Sequence, residues 1–86
     1  MSQAMTPAEL LALLGRRIRE RRTARALSRR ELAERAGVSL RFLASVEGGD
    51  ANISVARLHG IAEALETSAS ELLAVPRDER SAPPKQ

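Results

Sequence analysis

The chain has no cysteine, no tryptophan and no tyrosine, and Phe42 is its only aromatic residue besides His59. Without cysteine there is no disulfide framework, no thiolate metal site and no cysteine nucleophile. Apolar residues make up 43% of the 86 positions and are almost all Leu, Ala, Val and Ile. A single core in a chain this short must therefore be well organised from aliphatic side chains alone. No apolar run approaches the roughly 18 residues that read as a membrane span. The first residues lack the basic-then-apolar order of a signal peptide, so a soluble, cytoplasmic protein is expected. Enzymatic inventories are missing too: there is no nucleophile–histidine–acid set, no glycine-rich loop opening a helix after a strand, and no paired buried carboxylates. His59 has no second metal-ligand type at useful spacing and reads as a surface or packing residue. No cofactor and no metal are expected.

What the chain does have is Ala, Leu, Arg and Glu, all good helix formers, so an all-α fold is expected. Five helices can be placed from caps and apolar periods. Thr6-Pro7-Ala8-Glu9 is a capping box with proline at the first helical position, and the helix it opens runs to about residue 25. Leu10, Leu14 and Ile18 repeat every four residues along it, with Leu11 beside them. A second helix spans Arg29–Ala36 and a third Leu40–Glu47. Gly48-Gly49-Asp50 breaks the chain, and Ser54 then caps a fourth helix with an inner stripe of Leu58, Ile61, Ala62 and Leu65. Ser68-Ala69-Ser70-Glu71 is a further capping box, opening a short fifth helix that carries Leu72 and Leu73. These elements define one domain over 6–75. Residues 76–86, PRDERSAPPKQ, contain three prolines and no apolar period, and are expected to be a flexible tail or linker.

The densest information lies between Ser28 and Glu47. Ser28 and Glu31 are spaced as a capping box, with Leu27 and Leu32 as its hydrophobic staple. Gly37 supplies a left-handed helix stop, and Ser39 caps the next helix with Val38 and Leu43 as staple. Two short helices separated by three residues have the geometry of a helix-turn-helix, whose second helix can enter a DNA major groove. Charge agrees with this. Ten arginines stand against three glutamates over 16–41, a local balance of +7 in a chain whose net charge is +3. A solvated helical surface would look similar, but a basic face over this motif reads more simply as a phosphate footprint. Arginine alone does not distinguish DNA from RNA or an acidic partner protein.

Two charges interrupt apolar stripes. Arg22 is the next step after Leu14 and Ile18, and Glu47 follows Leu43 by four residues. A lone charge on a core-facing stripe is costly and needs a partner. Either the two pair with each other, locking the first helix to the end of the third, or both side chains reach out to solvent.

The stretch from about Leu14 to Leu73 resembles the phage-repressor-like (XRE-type, Cro-like) helix-turn-helix family of transcription regulators. The residues that carry the resemblance are LGRRIRERR, LSRRELAERAGVS, FLASVEGG and ANISVARLHGIAEAL, about 60 of the 86 positions. It implies a five-helix, lambda-repressor-like DNA-binding domain, and the Arg22–Glu47 pair falls where the family has one. Three positions depart from the pattern. The family usually has glycine where Ala26 and Glu66 stand, and often proline where Ile53 stands. GDANIS and SASELL also resemble a subgroup fused to a shikimate-kinase-like effector domain, which this chain is too short to hold.

In the third helix Leu43 and Val46 point inward, which leaves Leu40, Arg41, Ala44 and Ser45 outward, where the family also reads bases. Arg41 is the strongest candidate because its fork matches guanine O6 and N7. Ser45 suits a base or a phosphate, and Leu40 and Ala44 suit thymine methyls. The resemblance places phosphate contacts at Ser28, Arg29, Ser39 and Asn52, with Arg17 a further candidate at the edge of the first helix. Phe42 either covers the core edge or braces the phosphate backbone. Family members usually bind palindromic double-stranded DNA as homodimers, which would make this chain nucleoid-associated, with no membrane partner. The rival is a protein-interaction module such as an antitoxin that uses its tail, although that tail has almost no apolar anchors.

Overall fold

The computed structural model describes residues 5–75, so the tail expected over 76–86 and residues 1–4 lie outside the described residues. Five helices and no strands occur among them: α1 (Pro7–Ala24), α2 (Arg29–Ala36), α3 (Leu40–Glu47), α4 (Val55–Ala64) and α5 (Ala69–Leu73). Every helix opens on a Ser or Thr whose side chain accepts an amide proton of the first turn. Each such cap is worth about 1 kcal/mol, a large aid to helices of two or three turns. The boxes at Thr6/Glu9 and Ser28/Glu31 are complete in both directions. The box expected at Ser68/Glu71 is only half made. Ser68 caps the amide of Glu71, but the Glu71 carboxylate turns to the Thr67 hydroxyl and to Arg21. At Ser28 the returning carboxylate is visible in its chemistry: the Ser28 amide and hydroxyl hold the Glu31 carboxyl below the usual carboxylate range.

The helices end alike. After α1, the amides of Ala26 and Leu27 bond back to the carbonyls of Thr23 and Arg22, and the same double closure follows α2, α3 and α4. This arrangement requires one left-handed residue per helix end. Gly37 and Gly49 supply it after α2 and α3, but Ala26 (φ 58°) and Glu66 (φ 59°) supply it after α1 and α4. Two of the three departures from the family pattern, Ala26 and Glu66, are thus strained helix stops.

Leu14, Ile18, Leu32, Leu43, Val46, Ile61, Leu65 and Leu72 are the largest fully buried side chains, one core drawn from every helix and the turn after α4. α2 packs on α4, and α1 packs on both α3 and α5. On α1 the buried set differs from the expected stripe. Leu13 and Gly15 are buried beside Leu14 and Ile18, while Leu10 and Leu11 are half-buried. Gly15 explains the shift. A Cβ there would lie 2.6 Å from the Glu47 carbonyl oxygen and closer still to that of Val46. The glycine lets α1 lie directly on the last turn of α3.

Two stability changes of opposite sign follow. Ala26→Gly should stabilise by about 0.5–1 kcal/mol, since relief of the left-handed strain outweighs glycine's extra chain entropy, and thermal melting should rise by several degrees. Gly15→Ala should destabilise by about 2 kcal/mol or more through overpacking, although alanine is the better helix former by about 1 kcal/mol. Urea unfolding of both variants against the parent checks the signs.

Candidate nucleic-acid interface

The site is built around the α2–α3 turn. Gly37 ends α2 in the left-handed conformation, and Ser39 opens α3 by accepting the Phe42 amide at 2.9 Å. Leu43 and Val46 bury one face of α3. Leu40, Arg41 and Ala44 are exposed on the other, and Ser45 is half-buried beside them. The four residues expected to read bases therefore share the solvent side of one two-turn helix.

The inner end of α3 is fixed by charge. Glu47 receives Arg22 Nε on Oε2 at 2.7 Å and Arg22 Nη2 on Oε1 at 3.2 Å. The third Arg22 nitrogen, Nη1, donates to the Leu27 carbonyl at 2.9 Å, so this arginine also holds the α1–α2 connection. Side-chain exposures of 11% for Arg22 and 2% for Glu47 settle the alternatives left by the sequence: the charges pair and do not reach out to solvent. Glu47 also accepts Arg29 Nε on Oε1 at 2.8 Å. That second partner had no sequence signal. Arg29 is separated from Glu47 by 18 positions and meets it only because α2 and α3 cross there.

Among the residues expected at phosphates, Ser28, Arg29, Ser39 and Asn52 are all exposed. The Ser28 and Ser39 hydroxyl oxygens accept amide protons; this leaves the Ser39 O–H to donate, while the Ser28 O–H is drawn to the Glu31 carboxylate. Asn52 lies in the loop between α3 and α4. Arg17 is different. Its Nη1 donates to the carbonyls of Glu71, Leu72 and Ala74, capping the C-terminal end of α5. Cations are favourable at a helix C-terminus, where carbonyls lack amide partners, so the structure gives Arg17 a packing task within the protein. Arg21 and Arg25 likewise reach Glu71 and Glu66. Phe42 is half-buried against the core, and the Arg57 guanidinium lies 5.0 Å above its ring centroid. Arg57 drew no attention in the sequence because nothing local marks a cation–aromatic pair fifteen residues apart.

Among the described residues no group of His, Asp or Glu is placed to hold a metal, and no helix is long and apolar enough to cross a membrane.

Glu47→Ala should cost about 3–5 kcal/mol, because it leaves the buried Arg22 guanidinium without its partner. Arg22→Ala should be similarly severe and the double variant less than additive. A single variant that melts within a degree or two of the parent would make the pair energetically a surface contact.

The helix-turn-helix family HTH_3 matches residues 18–72. A protein of Rhodospirillum rubrum described as an uncharacterized transcriptional regulator in the ATPase CF(0) region is 46% identical over 54 residues. That match covers 63% of this chain, which spans half the length of that relative. Among solved structures, the restriction-modification controller protein C.AhdI from Aeromonas hydrophila superimposes with a TM-score of 0.70 at 37% identity, covering 72% of this chain and 94% of its own. The clp gene regulator ClgR from Corynebacterium glutamicum gives 0.71 at 33% identity, covering 74% of this chain and 68% of its own. These relatives lend no support to the shikimate-kinase-like fusion.

Proposed function

The chain belongs to the HTH_3 helix-turn-helix family, and from that premise we propose that it is a transcription regulator that binds double-stranded DNA sequence-specifically in the cytoplasm. α3 enters the major groove. Arg41 donates to a guanine edge, Leu40 and Ala44 meet thymine methyls, and Ser45 bonds a base or phosphate. Ser28, Arg29, Ser39 and Asn52 hold the flanking backbone. The observation that carries this reading is the division of α3 itself: Leu43, Val46 and Glu47 are buried while Leu40, Arg41 and Ala44 are exposed. A rigidly backed helix with a free outer face is what groove reading needs.

Two copies on a palindromic site, with half-sites about one helical turn (~34 Å) apart, complete the proposal. The antitoxin-like alternative has less behind it, because the relatives named above are described as regulators and controllers and the segment PRDERSAPPKQ that it would use has almost no apolar anchors.

Selection of bound sequences from a random duplex pool tests the reading. Arg41→Ala should cost about 1–3 kcal/mol on the best site and flatten one position of the selected profile. Arg29→Ala should leave the profile intact, weaken all sequences alike, and lower the salt slope by about one. If Arg41→Ala behaves as Arg29→Ala does, α3 does not read bases through Arg41.

A further inference from the structure

Glu47 carries two arginines, and packing accounts for only one of them. Arg22 closes the seam between α1 and α3 and is nearly buried. Arg29 stands at the first position of α2, its side chain is 46% exposed, and it gives Glu47 only its Nε. A guanidinium has five N–H donors in a planar fork. With Nε on Glu47, both Nη groups of Arg29 are without a hydrogen-bond partner among the described residues.

We propose that Glu47 is a positioning residue for DNA binding. Its buried carboxylate holds Arg29 by Nε and so presents the Nη1–Nη2 edge to a backbone phosphate beside the start of α2. The inference rests on the reading of this face as a DNA surface and adds to it the device that sets one contact. Charge favours the arrangement. Arg22 already balances Glu47, so the cluster keeps one net positive charge, and that charge sits on its exposed member. The carboxylate, 2% exposed and covered by two guanidinium groups, is screened from an approaching phosphate. Order favours it as well. A free surface arginine loses rotamer freedom when it binds, whereas one already held in place loses less. The opposing account is that Arg29 is merely a second counter-ion for Glu47. In that case it contributes to stability, and its outer edge has no task.

Substituting Glu47 would also unpair Arg22, so the test is placed on Arg29 in the full chain. Arg29→Ala and Arg29→Lys are compared with the parent for binding to a short mixed-sequence DNA duplex across a range of salt. Lysine keeps the charge but has one compact ammonium, with no second edge to offer once it faces Glu47. The expected result is that Arg29→Ala lowers the salt slope by about one, while Arg29→Lys keeps the slope but binds roughly three- to tenfold more weakly than the parent. A second readout is the NMR relaxation of the Arg29 Nε–Hε group in the DNA-free parent, which should be as ordered as the backbone. Parent-like binding by Arg29→Lys, or an Arg29 Nε–Hε as mobile as that of Arg41, overturns the clamp and leaves the phosphate contact standing. Parent-like binding and slope for Arg29→Ala overturn the contact and the clamp together. If Arg41→Ala is also without effect, it is the DNA reading of the face that fails.

Discussion

One buried carboxylate organises the domain. Glu47 ends α3, receives Arg22 from α1 and Arg29 from α2, and so joins the three helices that frame the candidate interface. An ion pair removed from water is not stabilising by default, because desolvation offsets much of the Coulomb attraction. Here the geometry is good enough to hold the balance. Both Glu47 oxygens accept from arginine nitrogens, and Arg22 spends its remaining nitrogen on the Leu27 carbonyl. No buried side-chain nitrogen or oxygen among the described residues lacks a partner. The cluster also depends on Gly15, since any side chain there would lift α1 away from the end of α3 where Glu47 is seated.

The rest of the fold consists of short helices kept honest by their ends. Four of the five have ten residues or fewer, lengths at which an isolated helix is marginal in water. Serine caps start them, and the double backbone closure stops three of these four and α1 as well. Two stops use residues with a Cβ where a glycine would be relaxed. Ala26 tolerates the left-handed conformation because the closure brings Leu27 into the core and its carbonyl to Arg22. Glu66 does so at the end of α4, where its carboxylate meets Arg25 at the surface. Strain of order 1 kcal/mol at each point is sustained by the packing around it.

The arginine surplus divides into tasks that composition does not separate. Arg22 is a core residue, and Arg17, Arg21 and Arg25 tie α1 to α5 or to the turn before it. Arg29 is half anchored, and Arg41 stands exposed on α3. A count over 16–41 therefore overstates the charge available to a polyanion, because part of it is used within the protein. Long-range attraction still acts through the whole set, since a partly paired surface guanidinium retains much of its field at low salt.

The local grammar of the domain was legible in its sequence. Serine caps, the Gly37 stop, the bounds of α2 and α3, and the inward set of Leu43 and Val46 each depend on neighbours within about one helical turn, whereas Ala26 and Glu66 stood out only through the resemblance, as positions where the family usually has glycine. The Arg22–Glu47 pair was legible too, because a charge on an apolar stripe announces that it needs a partner. What sequence could not supply were relations across space: Arg29 on Glu47, Arg17 on the α5 carbonyls, Arg57 over Phe42, and the close approach at Gly15. A long arginine can reach many acceptors, and its own neighbours do not say which. That choice is made when the helices dock, because the burial of Leu14, Ile18, Leu43 and Val46 fixes which backbone and which carboxylate lie within reach of each guanidinium.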